Sequence, residues 1–266
     1  MKKLVLSACT LVFLVFAGPA LALPCTSQSL TAYIGLGSAG CTVDGFQFSG
    51  FSAVTPVSPG NVQVPAASIT LTPVSGPAGP GFSISSGTPL VATAGQALEV
   101  WFGLTALPNP GARFTGNTIS LDPSATPVGD DAAITIVEDK CLEGSFSSPS
   151  IGCSGTPLTS IVYATEVIGQ PLNQLSETKT FAPASFFDVF VDLVVDSGPT
   201  GSATLGPTLG EIRVAFVPEP PSLALTAFAL VLLAYFRHRK NFRVQGAKFK
   251  TPNPATVQSS TARPVA

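Results

Sequence analysis

Histidine is almost absent from this chain: His238 is the only one, and none lies between Leu23 and Phe216. Without an imidazole, that long central part cannot run nucleophile–histidine catalysis. Basic residues are scarce there as well. Arg113, Lys140, Lys179 and Arg213 face fourteen acidic residues over the same stretch, a net charge of −10. No basic patch exists to neutralise phosphates, which excludes nucleic acid as a partner of this part. No CxxC spacing occurs among the five cysteines, so zinc-ribbon and dithiol redox chemistry are not expected. EF-hand and nonapeptide calcium patterns are missing too. Neither a metal nor a cofactor is expected. Charged residues make up only 11% of the chain, leaving Ser, Thr, Gly and Pro to form most of the polar surface.

What the middle does contain is strand pattern. Phe46-Gln47-Phe48-Ser49, Ile69-Thr70-Leu71-Thr72 and Ile134-Thr135-Ile136 alternate apolar and polar residues. Leu98 to Leu104, Ile161 to Val167, Phe186 to Val195 and Glu211 to Phe216 are further strand candidates. Turn runs such as VSPGN, LPNPG and DSGPTG separate them. Only Ser29 to Leu36 could form a short helix. Strands joined without crossover helices imply antiparallel pairing, and a single antiparallel β-sandwich over residues 23–216 is the expected fold. The Pro- and Gly-rich stretch 73–89 reads as a long loop.

The two ends concern address rather than fold. Lys2 and Lys3 precede an apolar run from Leu4 to Phe16, and Ala20-Leu21-Ala22 offers small residues at Ala20 and Ala22. This is a signal peptide over residues 1–22, cleaved by signal peptidase after Ala22. Removal of Cys9 with it leaves Cys25, Cys41, Cys141 and Cys153. An even count in an exported domain reads as disulfides, and proximity favours 25–41 and 141–153, both at edges of the domain. Near the other end, Ser222 to Phe236 carries no charge over fifteen residues. As a helix it rises about 22 Å, a short transmembrane span. Arg237, His238, Arg239 and Lys240 follow it, which places the polar extension 241–266 in the cytoplasm as a disordered tail. Val217-Pro218-Glu219-Pro220 stands before the span, a rigid extended piece that an enzyme can grip.

The order Pro218-Glu219-Pro220, apolar helix, basic cluster resembles the PEP-CTERM sorting signal of Gram-negative bacteria that make exopolysaccharide. The resemblance covers residues 217–240. It implies recognition by exosortase, a membrane peptidase, and removal of the tail, as with a GPI signal. Such signals end soon after the basic cluster, whereas this chain continues to Ala266. The body resembles an exported module found ahead of that signal, through Cys25, Leu30 to Leu36, Gly40-Cys41-Thr42, Phe46 and Phe48, and the segment Lys179 to Leu205. That module carries no assigned activity, so it implies fold and context alone. The resemblance thus implies a non-enzymatic surface or matrix protein. It passes through an inner-membrane intermediate to the outer membrane, cell surface or matrix, with exopolysaccharide as a candidate partner.

A carbohydrate-binding or carbohydrate-modifying domain is the alternative. Paired carboxylates for glycoside chemistry come from Asp130/Asp131, Glu138/Asp139 or Asp188/Asp192/Asp196. The last trio alternates with Val189, Val191, Leu193 and Val195, so it reads as the wet face of a strand. Trp101, Tyr33 and Tyr163 could stack on sugar, but Trp101 sits in the apolar run VWFGL and is expected in the core.

Overall fold

A computed structural model describes residues 22–54, 60–149, 151–167 and 169–218. Ala20, Glu219, Pro220, the apolar span 222–236, the cluster Arg237, His238, Arg239 and Lys240, and the tail 241–266 lie outside the described residues. Among the described residues, no helix is long and apolar enough to cross a membrane.

The described chain is all-β. In order, the strands are β1 (Gln28–Ser29), β2 (Cys41–Val43), β3 (Phe46–Ala53), β4 (Asn61–Gln63), β5 (Ile69–Val74) and β6 (Gly81–Ser86). Then come β7 (Leu90–Thr93), β8 (Ala97–Leu107), β9 (Ala112–Leu121), β10 (Thr126–Val128), β11 (Ala133–Leu142), β12 (Phe146–Ser148) and β13 (Ile151–Cys153). The last are β14 (Thr156–Val167), β15 (Gln170–Gln174), β16 (Ser176–Ala184), β17 (Phe187–Asp196), β18 (Ser202–Leu205) and β19 (Thr208–Pro218). One helix, α1 (Leu30–Ile34), is capped by Ser29, whose hydroxyl accepts from Ala32 N at 3.2 Å. Every strand pair is antiparallel except the short β4, which lies parallel to β8.

Two large sheets dominate. One has the order β1-β5-β6-β19-β9-β16, the other β15-β14-β11-β17-β8-β3-β2 with β4 beside β8. Their buried residues belong to one apolar cluster. From the six-stranded sheet come Ile69, Leu71, Phe82, Ile84, Phe114, Ile119 and Val214; the eight-stranded sheet adds Phe48, Phe102, Ile136, Val162, Val189 and Val191. Phenylalanines set much of the contact geometry. Phe48 meets Phe82 edge-on at 5.0 Å, and Phe114 meets Phe187 at 4.9 Å. Tyr33 is fully buried in the same cluster, its hydroxyl donating to Thr26 O at 2.7 Å. Burial pushes that phenol up to about 12.

Two expectations change here. Residues 73–89 are not one loop, because β6 lies within them, pairing with β5 and β19 through its buried Phe82 and Ile84. Strand β9 also stands where no alternating run was evident. Gly116 and Asn117 interrupt its pattern, and a bulge shifts its register against both β16 and β19.

Both couples of cysteines form bridges. Cys25–Cys41 spans 4.9 Å between Cα atoms and Cys141–Cys153 spans 5.4 Å, both within the range a disulfide needs. The first ties the N-terminal segment along the edge strand β2, where Cys25 N donates to Thr42 O and Thr42 N to Leu23 O. Gly40, just before β2, allows the chain to come close to β3 on the other side: with φ at 58°, a Cβ there would stand 2.1 Å from Phe48 O. The second bridge is not at a sheet edge. Cys141 lies on β11, hydrogen-bonded between β14 and β17, and the bridge pulls the β12–β13 hairpin onto the end of that strand.

Candidate functional site

Strand β11 sorts its residues by parity. Ile134, Ile136, Glu138 and Lys140 point to the core side, while Thr135, Val137 and Asp139 take the outer face. The carboxylate pair Glu138/Asp139 is therefore split between the two faces of the sheet. Asp139 accepts from Thr159 Oγ1 at 2.6 Å on the outer side. Glu138 is wholly buried, and so is Lys140, the only buried lysine among the described residues.

Lys140 Nζ donates to Glu138 Oε2 at 2.9 Å and to Ser160 Oγ, on β14, at 2.8 Å. Asn117 enters from β9, in the other large sheet, and its Nδ2 donates to the same Glu138 Oε2 at 2.5 Å. All four residues are at most 1% exposed. Two acceptors in this cluster, Asn117 Oδ1 and Glu138 Oε1, have no hydrogen-bond partner. A buried charge tolerates such surroundings only when paired, and a buried orphan acceptor costs about 1–3 kcal/mol. Ile119, Ile136, Val162, Val189, Val191 and Val214 occupy buried register positions beside these residues on the three strands and their neighbours. The sequence reading missed Lys140 and Asn117. The one available signal was a lysine two residues from a glutamate in an alternating strand, which places both on the buried face.

The outer face of the eight-stranded sheet carries a second polar group. Asp188, Asp192 and Asp196 do share one face of β17, but that face is half-buried rather than wet. Phe190 lies on the same face over Gly103, where an added Cβ would come within 2.6 Å of the ring. Trp101 belongs to this face too, directly across from Asp192, and is half-buried outside the core cluster. The expectation of a core tryptophan fails because alternation in VWFGL sends Val100, Phe102 and Leu104 inward and Trp101 outward. Glu99, on β8 beside β4, is buried and accepts from Asn61 Nδ2 at 2.7 Å. Tyr163 is half-buried on the outer face of β14, whereas the buried Tyr33 has no ring face to offer a ligand.

Burial first, then the neighbouring Glu99 carboxylate and its hydrogen bond, and then Asp139, push Asp192 up to about 7. Its folded value is raised above the unfolded one. The extra proton therefore stabilises the fold at low pH, and that contribution fades as pH rises from about 4 through about 7. Replacing Asp192 with asparagine should raise stability by about 1–2 kcal/mol at about pH 8, after discounting for partial exposure, and change little at about pH 4. Denaturant melts across that range provide the check. Equal effects at both pH values would reject the assignment.

Asp130 and Asp131 lie in the turn before β11 and, with Thr165, Glu166 and Val167, border an open groove of about 330 Å³. Among the described residues, no group of three or more His, Cys, Asp or Glu is placed to hold a metal ion. Val217 and Pro218, the start of the tail motif, form the end of β19 opposite Arg113 and Ala112. No family model matches the chain, and no curated protein matches it.

Proposed function

We propose that this chain is an exported surface or matrix protein of a Gram-negative bacterium, sorted by a PEP-CTERM signal and processed by exosortase. The sequence from Val217 to Lys240 carries the proposal: a Pro-Glu-Pro motif, an uncharged run and a basic cluster stand in that order, in a chain that opens with a signal peptide. The two large sheets with one shared apolar cluster support a β-sandwich as the exported body. Its two disulfides fit an oxidising, extracytoplasmic compartment. The body is a non-enzymatic component of the envelope or of the exopolysaccharide layer. The uncharged run 222–236 holds it in the inner membrane, with 241–266 on the cytoplasmic side, until the tail is removed. Carbohydrate binding is the second reading, favoured by Trp101 on the outer sheet face beside Asp192 and Glu99.

N-terminal sequencing of protein recovered from the cell surface or medium should begin at Leu23. A chain that begins at Met1, or one confined to the cytosol, would contradict export.

A further inference from the structure

We propose that Lys140 and Asn117 join through an amide bond between their side chains, formed by the folded protein itself with Glu138 as the catalytic acid and base. The reactants are already assembled. An amine and a carboxamide meet on one carboxylate oxygen, at 2.9 Å and 2.5 Å, in a site that excludes water. Ser160 holds the amine from a second direction at 2.8 Å. The amide oxygen Asn117 Oδ1 has no donor on it, and the second carboxylate oxygen Glu138 Oε1 is likewise unpartnered. A purely structural polar cluster would normally satisfy both atoms.

The chemistry balances with no added reagent. Lys140 Nζ passes one ammonium proton to Glu138 Oε2, which removes two opposite charges from the interior and leaves a nucleophilic amine. That amine attacks Asn117 Cγ, forming the Nζ–Cγ bond. Glu138 hands a proton to Nδ2, the Cγ–Nδ2 bond breaks, and ammonia departs. Of the three ammonium protons, one stays on the new amide nitrogen and one leaves in the ammonia. The third rests on Glu138 until the departing ammonia takes it and leaves as ammonium. Holding amine, amide and carboxylate in one place supplies the proximity that an ordinary amide aminolysis in water lacks.

The product would link the six-stranded sheet to the eight-stranded sheet, since Asn117 is on β9 and Lys140 on β11. The two sheets would then be unable to separate without breaking a covalent bond. Unlike the two disulfides, this link would survive reduction. Such a bond suits a protein exposed outside the cell, but the chemistry does not depend on how the chain is sorted.

Trypsin reports the bond directly. No Lys or Arg lies between Arg113 and Lys140, and the next after Lys140 is Lys179. The test uses the full chain, exported into a periplasm, purified folded, then reduced, alkylated, denatured and digested. Acylation of Lys140 blocks cleavage there. The expected product is one peptide spanning residues 114–179, lighter by one ammonia, with fragment ions that place the link between Asn117 and Lys140. Glu138→Gln should restore cleavage after Lys140 and the full mass of the 114–140 peptide. Ser160→Ala, which leaves the three reacting groups in place, should keep the link. A wild-type digest that gives the 114–140 peptide at full mass overturns the proposal. So does ammonia loss confined to a peptide still cut at Lys140, which would mark a cyclised asparagine. The wild-type result decides the matter even if the Glu138→Gln chain does not fold.

Discussion

Relative to the chain before any Lys140–Asn117 link forms, replacing Lys140 with alanine is expected to lower the folding free energy by about 3–5 kcal/mol, the cost of leaving a buried carboxylate without its partner. Glu138 is at 0% exposure, and its one other donor among the described residues is Asn117 Nδ2. The carboxylate lies in the interior, where an unpaired charge is costly. The change also removes the anchor of Ser160 Oγ, on the neighbouring strand β14. A contrast comes from Lys179, whose Nζ stands 2.7 Å from Glu177 in a pair that is partly exposed. Lys179→Ala should cost no more than about 1 kcal/mol, because solvent screens that pair. Urea titrations with a large midpoint shift for Lys140→Ala alone would bear this out. Comparable small shifts for both variants would mean that the buried cluster contributes little.

The second large effect concerns sorting. Alanines in place of Pro218, Glu219 and Pro220 should leave signal-peptide cleavage and export intact while abolishing tail removal. Proline lacks the N–H that a helix interior or a sheet ladder needs; Pro218 closes strand β19, and alanines at these positions remove the barrier that stops the expected apolar span from extending outward as helix and hiding the processing site. The chain should then collect in the inner membrane with its basic cluster still attached. Fractionation followed by detection of a tag after Ala266 measures this, because the tag persists only if processing fails. Normal loss of the tag in the alanine variant would remove the motif from the account.

Strand identity was legible wherever alternation was unbroken. Phe187 to Asp196 alternates along its whole length, and the structure buries each odd-numbered residue there. The outer face was less legible. Asp188, Asp192 and Asp196 look like a solvated edge in sequence, yet Trp101 and the Glu99 carboxyl come from β8, a strand distant in sequence whose pairing beside β17 no local pattern predicts. Strand β6 was hidden by its flanking glycines and prolines, which are strong turn signals even when a paired strand lies between them. Sequence proximity sufficed for the disulfides, because each couple closes a loop of at most 16 residues. Nothing local could pair Asn117 with Lys140. Their meeting depends on two sheets facing each other, a fact of tertiary structure that neither strand encodes alone.

The reading of this chain as an exported and exosortase-processed protein is tested most directly by intact mass. Protein would be purified from the surface and inner-membrane fractions of cells with and without their exosortase. The account predicts, in cells with the enzyme, a chain that starts at Leu23 and ends before Arg237. In cells without it, the same tail should remain attached and the protein should stay with the inner membrane. A surface-fraction mass that still includes Arg237 to Lys240, or one identical in the two strains, would contradict it.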